Sequence, residues 1–435
     1  MSATAVFPCD VTPASAPVPQ ALHDRYCAVR AESLARAAPL SVEDQGVQSM
    51  PDASPTKWHL AHSTWFFEAL VLLPHLGGYR CFDERLLPLF NSYYETLGSR
   101  HPRPQRGLLT RPALAEVMAY RAHVDAAMLA LLARPLPAEL ADLVVLGLHH
   151  EQQHQELVLT DILHAFACNP LAPAYRPPAG PVDTGLAGRA EWLAHPGGQV
   201  EIGHAGPGFA FDNEGPRHAV LLQPFAIADR LVRCADFADF VADGGYRQPL
   251  LWLSDGWALV QGQGWQAPAY WRRSADDPDG RSVDGWQVFG LDGLRPLDPG
   301  AAVQQLSFHE ACAYAQWAGA RLPTEFEWEA ACGGPGLPAV PGRPDLPGPP
   351  TLAGLQEAFG VAWQWTRSAY DPYPRYRAAA GALGEYNGKF MVGQLVLRGS
   401  SLATPPGHAR ATYRNFFPPA ARWQFSGLRL AKDLP

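Results

Sequence analysis

The sequence predicts an α + (α+β) architecture: an N-terminal four-helix bundle followed by a loop-rich domain of short helices and strands. Three observations carry this. Apolar residues recur at helical spacing through residues 20–166. Residues 169–181 then hold five prolines in 13 positions, which reads as an interdomain linker. Beyond it, segments are short and broken by Gly-Gly, Pro-Gly and Asp-Gly pairs. The 40 Gly and 43 Pro stand beside only 17% charged residues, a balance that suits long irregular connections.

The elements follow in order. Residues 1–19 are rich in Ala, Pro and Ser and predict a disordered lead-in. Residues 20–38 are a run of good helix formers. Ser54-Pro55 reads as an N-cap with Pro at the first helical position, ahead of a stripe formed by Trp58, Ala61, His62, Trp65, Phe66, Ala69 and Leu73, and Pro74 is expected to end it. Third and fourth helices fit residues 111–133, opened by Pro112, and 137–166. The domains therefore divide as 20–168, a linker over 169–190, and 191–435. In the second domain, 200–202, 219–222, 287–289 and 394–398 predict strands, and 232–242 and 308–318 short helices. Residues 333–350 hold 12 Gly or Pro in 18 positions and fit no regular element.

Composition excludes several classes. A net charge of −8 and no basic stripe argue against a nucleic-acid partner. No apolar run approaches the roughly 18 residues that span a bilayer, so no membrane partner is expected. No basic residue precedes an apolar run at the start, so no secretory signal is read there. Seven cysteines without a C-x-x-C spacing predict a reduced, cytoplasmic protein. Small-molecule partners remain, and a homo-oligomer is compatible with the composition.

The most informative segment is His149-His150-Glu151-Gln152-Gln153-His154. On a helix, His150 and His154 share one face. That face also carries Leu143, Leu146 and Leu157, so two imidazoles aim into an apolar core. Read literally, the segment matches the zinc-protease helix H-E-x-x-H. However, Leu157 and Thr160 stand where a metzincin needs Gly and His, and no Glu follows Glu156 until Glu191. A third ligand is better sought upstream. His62 lies on the stripe between Trp58 and Trp65, and His59, about 60° further round the helix, is its rival. Imidazole suits iron, copper, nickel and zinc alike, so these ligands do not choose the metal.

At this point the residues resemble a known family. Ser54-Pro-Thr-Lys-Trp-His-Leu-Ala-His62, Phe90-Asn-Ser-Tyr-Tyr-Glu95 and His150-x-x-x-His154-x-Glu156 resemble the DinB-like iron-binding helical domain of the ergothioneine-type sulfoxide synthases. Residues 232–246, Arg321-Leu-Pro-Thr-Glu-Phe-Glu-Trp328, Trp363-Gln-Trp-Thr366, Leu397-Arg-Gly-Ser400 and Gly427-Leu-Arg-Leu430 resemble the sulfatase-modifying-factor fold, a C-type-lectin-like, loop-rich domain. The resemblance implies an Fe(II) enzyme that uses O2 to join a chalcogen to C2 of the imidazole of hercynine (trimethylated histidine) and oxidises that chalcogen. It places iron on His62, His150 and His154, and Gln153 against the hercynine imidazole. It also implies that Tyr93 or Tyr94 acts chemically near the metal, with Tyr386 as the rival from the second domain.

Specificity is read from departures. Tyr413-Arg-Asn-Phe-Phe417 resembles the stretch lining the hercynine pocket. Relatives that use γ-glutamylcysteine carry Asn-Trp-Asp, whereas this chain has Asn415, Phe416 and Phe417, without the acid that would meet a glutamyl ammonium. Phe416 and Phe417 are expected to bear on the trimethylammonium. Arg103 and Arg106 are candidates for a donor carboxylate. Leu402 replaces the Cys common in cysteine-using relatives and is expected to reshape the donor pocket. The sequence is compatible with the selenoneine branch, which takes selenium from a seleno-sugar, and that donor is preferred, with cysteine as the alternative. Two other classes are weighed. A formylglycine-generating oxidase needs a cysteine pair near its C-terminal end, but the last Cys here is Cys332. A non-catalytic metal- or ligand-binding module is the third reading.

Overall fold

The computed structural model describes residues 18–177, 188–274, 285–332, 352, 354–380 and 384–435. Most of the lead-in, residues 333–350 and the later part of the linker lie outside the described residues. The helical domain is built from Val18–Ala37, Thr56–Phe66, Leu114–Leu132 and the 31-residue Ala138–Cys168. The Thr56–Phe66 helix runs on through a π-helical turn, Phe67–Leu72, into Leu73–His75. Pro74 falls just after the π-helical turn and does not end the helix, which the chain leaves at Leu76.

Two helix starts differ from expectation. Pro55, not Ser54, occupies the cap position of the second helix. Ser54 is used by its neighbours instead: its N–H donates to Asp161 Oδ2 at 2.8 Å and its Oγ accepts from Arg106 at 2.9 Å. The third helix begins at Leu114, with the Ala113 N–H donating to the Glu116 carboxylate at 2.7 Å, so Pro112 precedes it.

Among the described residues, the second domain holds four small sheets. Trp192–His195 and Ala431–Asp433 flank Phe225–Ala228, so the two ends of the domain meet in one sheet. Asn415–Phe417, Leu395–Gly399, Trp363–Ala369 and Ser426–Gly427 form the sheet nearest the site. The hairpin Gly198–Ile202 with His218–Leu222, and the meander Trp271–Arg273, Trp286–Gly290 and Gly293–Pro296, complete the set. The predicted strands 200–202, 219–222 and 287–289 lie within observed ones, and 394–398 overlaps Leu395–Gly399, starting one residue early. Most of the strands that were not predicted are short or apolar throughout, as in Phe225-Ala-Ile-Ala228, and offer no two-residue alternation; Trp363–Ala369 differs, since its opening Trp-Gln-Trp-Thr does alternate.

The long helix Ala138–Cys168 belongs to both halves. Val144 and Leu148 sit in the bundle core, while Leu159, Ile162, Leu163 and Phe166 pack with Phe289, Leu291 and Phe425 of the second domain. Glu151, on its far side, is wholly buried between Arg30 at 2.9 Å and Arg121 at 3.0 Å, tying this helix to the first and third. At Gly147 a Cβ would lie 2.7–2.9 Å from the rings of Phe66 and Phe67, so the absence of a side chain lets this helix approach the second one.

Candidate metal centre and substrate cavity

His62, His150 and His154 converge, with one ring nitrogen from each within 4.8 Å of the others. All three are buried. His62 is clamped by stacking between Trp58, at 4.5 Å between centroids, and Trp65, at 5.6 Å. His150 stacks on Phe66 at 4.8 Å. Burial, followed by the neighbouring imidazoles, holds His62 and His154 well below the ordinary histidine value, and burial pushes His150 down to about 3. All three are therefore neutral at physiological pH, the form a metal requires.

Hydrogen bonding also sets which nitrogen is free. His62 Nδ1 lies 2.6 Å from the Phe90 carbonyl, which can only accept, so Nδ1 carries the proton and Nε2 keeps its lone pair. Asp161 Oδ2 accepts from His59 Nε2 at 3.0 Å; His59 Nδ1 then accepts from His154 Nδ1 at 2.8 Å, and His154 Nε2 is left with its lone pair. The Nε2 atoms of His62 and His150 are 3.1 Å apart. Metal–imidazole bonds of about 2.0–2.1 Å at a right angle would set two nitrogens roughly 3 Å apart. His150 Nδ1 is buried without a partner among the described residues. The donor set fits a divalent transition metal. His59 is not one of the converging three: it orients His154, as an outer carboxylate–histidine pair does for a metal ligand.

A cavity of about 220 Å³ opens beside His154, roofed by the second domain. Gln153 reaches into it, donating through Nε2 to Tyr413 Oη at 2.6 Å while its buried Oε1 has no partner among the described residues. Arg103 and Arg106 both line it. Arg106 is buried over the Trp58 ring at 3.4 Å and donates to Ser92 Oγ at 2.9 Å, whereas Arg103 is exposed and donates to the Asp52 carbonyl. Asn415 and Phe417 line the cavity and Phe416 does not; it stacks on Tyr370 at 4.1 Å. The cause is strand alternation, which sends Phe416 to the opposite face of Asn415–Phe417. Leu402 is 45% exposed and is likewise no part of the lining.

The tyrosines divide. Tyr93 lines this cavity, and Tyr94 lines a second one of about 830 Å³ on the other side of His150. Tyr386 borders both, hydrogen-bonds Tyr93, and presents its ring to His150 at 5.9 Å between centroids. Burial raises all three phenols, so they are neutral donors.

Some site residues escaped the sequence reading. Glu156, inside a recognised motif, is a half-buried acceptor for Trp363 Nε1 at 2.7 Å, Ser401 Oγ at 2.5 Å and Thr404 Oγ1 at 2.7 Å, and so binds the two domains together. Asp161 stands two turns beyond His154 on the same face, a spacing that was there to be read. His408 and Gln424 arrive from loops of the second domain with no such signal. His164 faces Ser49 instead, at 2.7 Å.

Known proteins resemble this chain in both of its domains. The sulfatase-modifying factor enzyme 1-like domain family matches residues 187–339 and 348–434, and the DinB superfamily matches 25–158. The chain is 32% identical to a hercynine oxygenase of Mycolicibacterium smegmatis, over 89% of this chain and 93% of that one. It is 33% identical to a hercynine oxygenase of Mycolicibacterium thermoresistibile, over 88% of each. A formylglycine-generating enzyme of Streptomyces coelicolor matches at 36% over 38% of this chain and 55% of its own. Likeness across the whole chain, both domains and the junction between them, makes this protein a member of the hercynine oxygenase family, in which a DinB helical domain is joined to a sulfatase-modifying-factor domain.

Proposed function

We propose that this protein is an Fe(II)- and O2-dependent synthase that joins a chalcogen to C2 of the hercynine imidazole and oxidises it. The observation that carries the reading is the convergence of three neutral imidazoles, of which His154 lines a cavity that also holds Gln153 Oε1, unpartnered among the described residues. Iron held by His62, His150 and His154 would supply the activation of dioxygen. Gln153 Oε1, held by the bond from its own Nε2 to Tyr413, would accept the imidazole N–H of hercynine and present C2. Phe417 would face the trimethylammonium. In the balanced reaction the C2–H and chalcogen–H bonds break and a carbon–chalcogen bond forms. One oxygen atom goes to the chalcogen, and the other leaves as water with the two hydrogens.

The proton or hydrogen atom needed at the oxidant would come from a phenol of the Tyr93, Tyr94 and Tyr386 group. Tyr386 gains support from its place between the two cavities and against the His150 ring. For the donor we propose a seleno-sugar, with cysteine as the competing donor. The absence of an acid at Phe417 argues against a γ-glutamyl dipeptide. Iron-loaded protein given hercynine with seleno-glucose and cysteine in competition, under air, tests this by mass spectrometry of the products. A selenoxide or its reduced form supports the seleno-sugar, a cysteine sulfoxide adduct supports cysteine, and no product with either, or with γ-glutamylcysteine, refutes the synthase reading.

A further inference from the structure

A second chain of histidines runs beside the one that ends at the metal. Arg25 lies 2.7 Å from His149 Nε2, and His149 Nδ1 lies 3.1 Å from His408 Nδ1. A guanidinium can only donate. His149 Nε2 must therefore accept, and the proton of the neutral ring sits on Nδ1. That proton is donated to His408 Nδ1, so His408 carries its own proton on Nε2. Protonating His408 at both nitrogens would set two N–H groups against each other, so the chain also excludes the cation.

The two chains differ in their first group. Asp161 is an acceptor, and the chain through His59 ends at His154 in a lone pair. Arg25 is a donor, and the chain through His149 ends at His408 in an N–H. His408 is 1% exposed and lines the 220 Å³ cavity, and its Nε2 is buried with no partner among the described residues. Its Nδ1 is turned to His149, so Nε2 at the other end of the ring faces away from it. A buried donor left unpaired is destabilising, and folded proteins seldom keep one without a use. Arg25 and Arg410 stand behind the pair and Arg106 lines the same cavity, while the Glu156 carboxylate that also lines it already accepts from Trp363, Ser401 and Thr404, so the surroundings favour an anion at His408. The ring of His149 is itself held by stacking on Phe209 at 3.9 Å, which keeps the chain in line.

We propose that His408 Nε2–H is a carboxylate-binding subsite of the substrate cavity, with its polarity set by Arg25 through His149. The subsite rests on the proposed reaction for its ligand, which is the carboxylate of hercynine or that of an amino-acid donor. His149 and Arg25 are positioning residues, since they act only through His408.

Equilibrium binding to the full chain tests the ligand. In His408→Phe, hercynine is expected to bind about 10- to 150-fold more weakly, the weight of one hydrogen bond to a charged group, while its decarboxylated analogue binds as before. If the carboxylate belongs to the donor, the loss falls on cysteine and spares cysteamine. Arg25→Met should shift the same carboxylate ligand in the same direction by a smaller factor. Nitrogen-15 NMR of zinc-loaded protein tests the tautomer: His408 is expected as Nε2–H and His149 as Nδ1–H, with the His408 Nε2 signal moving on addition of formate.

Equal losses with and without the carboxylate overturn the subsite while leaving the reaction standing. A proton on His408 Nδ1, or no response to formate, overturns it as well. Should wild-type protein bind neither hercynine nor cysteine, the reaction falls instead, and the formate response still decides the subsite.

Discussion

Replacing His59 with Leu separates a ligand from a group that orients one. His59 is buried and makes two bonds, accepting from His154 Nδ1 at 2.8 Å and donating to Asp161 Oδ2 at 3.0 Å. Leucine fills similar space but accepts nothing, so His154 loses the bond that keeps its proton away from the metal side. Loss of such an outer partner weakens metal binding about 10- to 100-fold, or about 1.4 to 2.7 kcal/mol. Asp161→Asn is milder: one oxygen, Oδ2, accepts from both Ser54 N–H and His59, and an amide oxygen can stand there. That variant should lose less than tenfold. The assay is competition for Fe(II) against chelators of graded strength, anaerobically, with iron counted per chain. Wild-type affinity in His59→Leu would refute the relay. Complete loss in His59→Leu with one iron per chain retained in His62→Ala would make His59 the ligand and His62 the support.

Further expectations are as follows. His150→Ala and His154→Ala should each bring iron below one per ten chains, by elemental analysis, while circular dichroism remains helical. Tyr386→Phe should keep iron but shift products from bond formation toward simple oxidation of the donor; if only Tyr93→Phe or Tyr94→Phe does so, the phenol role belongs to the helical domain. Glu151→Gln should lower stability by about 3–5 kcal/mol in urea, because Arg121 loses its counter-charge in a buried place and Arg30 keeps only Asp125, at 2.7 Å. The two arginines outweigh burial and hold the Glu151 carboxyl down at about 2, from an ordinary 4.5. A lowered value stabilises the fold above the ordinary one and is lost as pH falls from about 4.5 toward 2, so the wild-type advantage over Glu151→Gln should shrink across that window. Glu156→Ala should strand Trp363 Nε1 and two hydroxyls. Hydrogen exchange at the domain junction should rise in it, and far less in Glu156→Gln.

The helical half was legible because its signals are local. The four helices lie within a few residues of expectation, and the i, i+4 pair of His150 and His154 follows from the period of one helix. The second half was less legible. Its strands are short, several are buried on both faces, and their partners come from distant segments, as where Trp192–His195 and Ala431–Asp433 share a sheet with Phe225–Ala228. Phe416 and Phe417 looked equivalent in sequence and were separated only by the pleat of a strand whose register is set by Leu395–Gly399. Leu402 looked like a pocket residue, but the turn holding it sends its neighbours Ser401 and Thr404 inward to Glu156 and leaves it in solvent.

By itself the sequence determined the two-domain class and the helix that carries two imidazoles on one face. It also set the absence of an acid at Phe417. These are properties of composition and of period along a single element. Tertiary structure alone brings His62, and not His59, together with His150 and His154, and the Phe90 carbonyl and Asp161, which come from other segments, each leave a different nitrogen free. It also decided that the relay from Asp161 ends in a lone pair at the metal and the relay from Arg25 in an N–H at the cavity. Hydrogen-bond direction passes from ring to ring, so the character of the last atom depends on which group stands at the first.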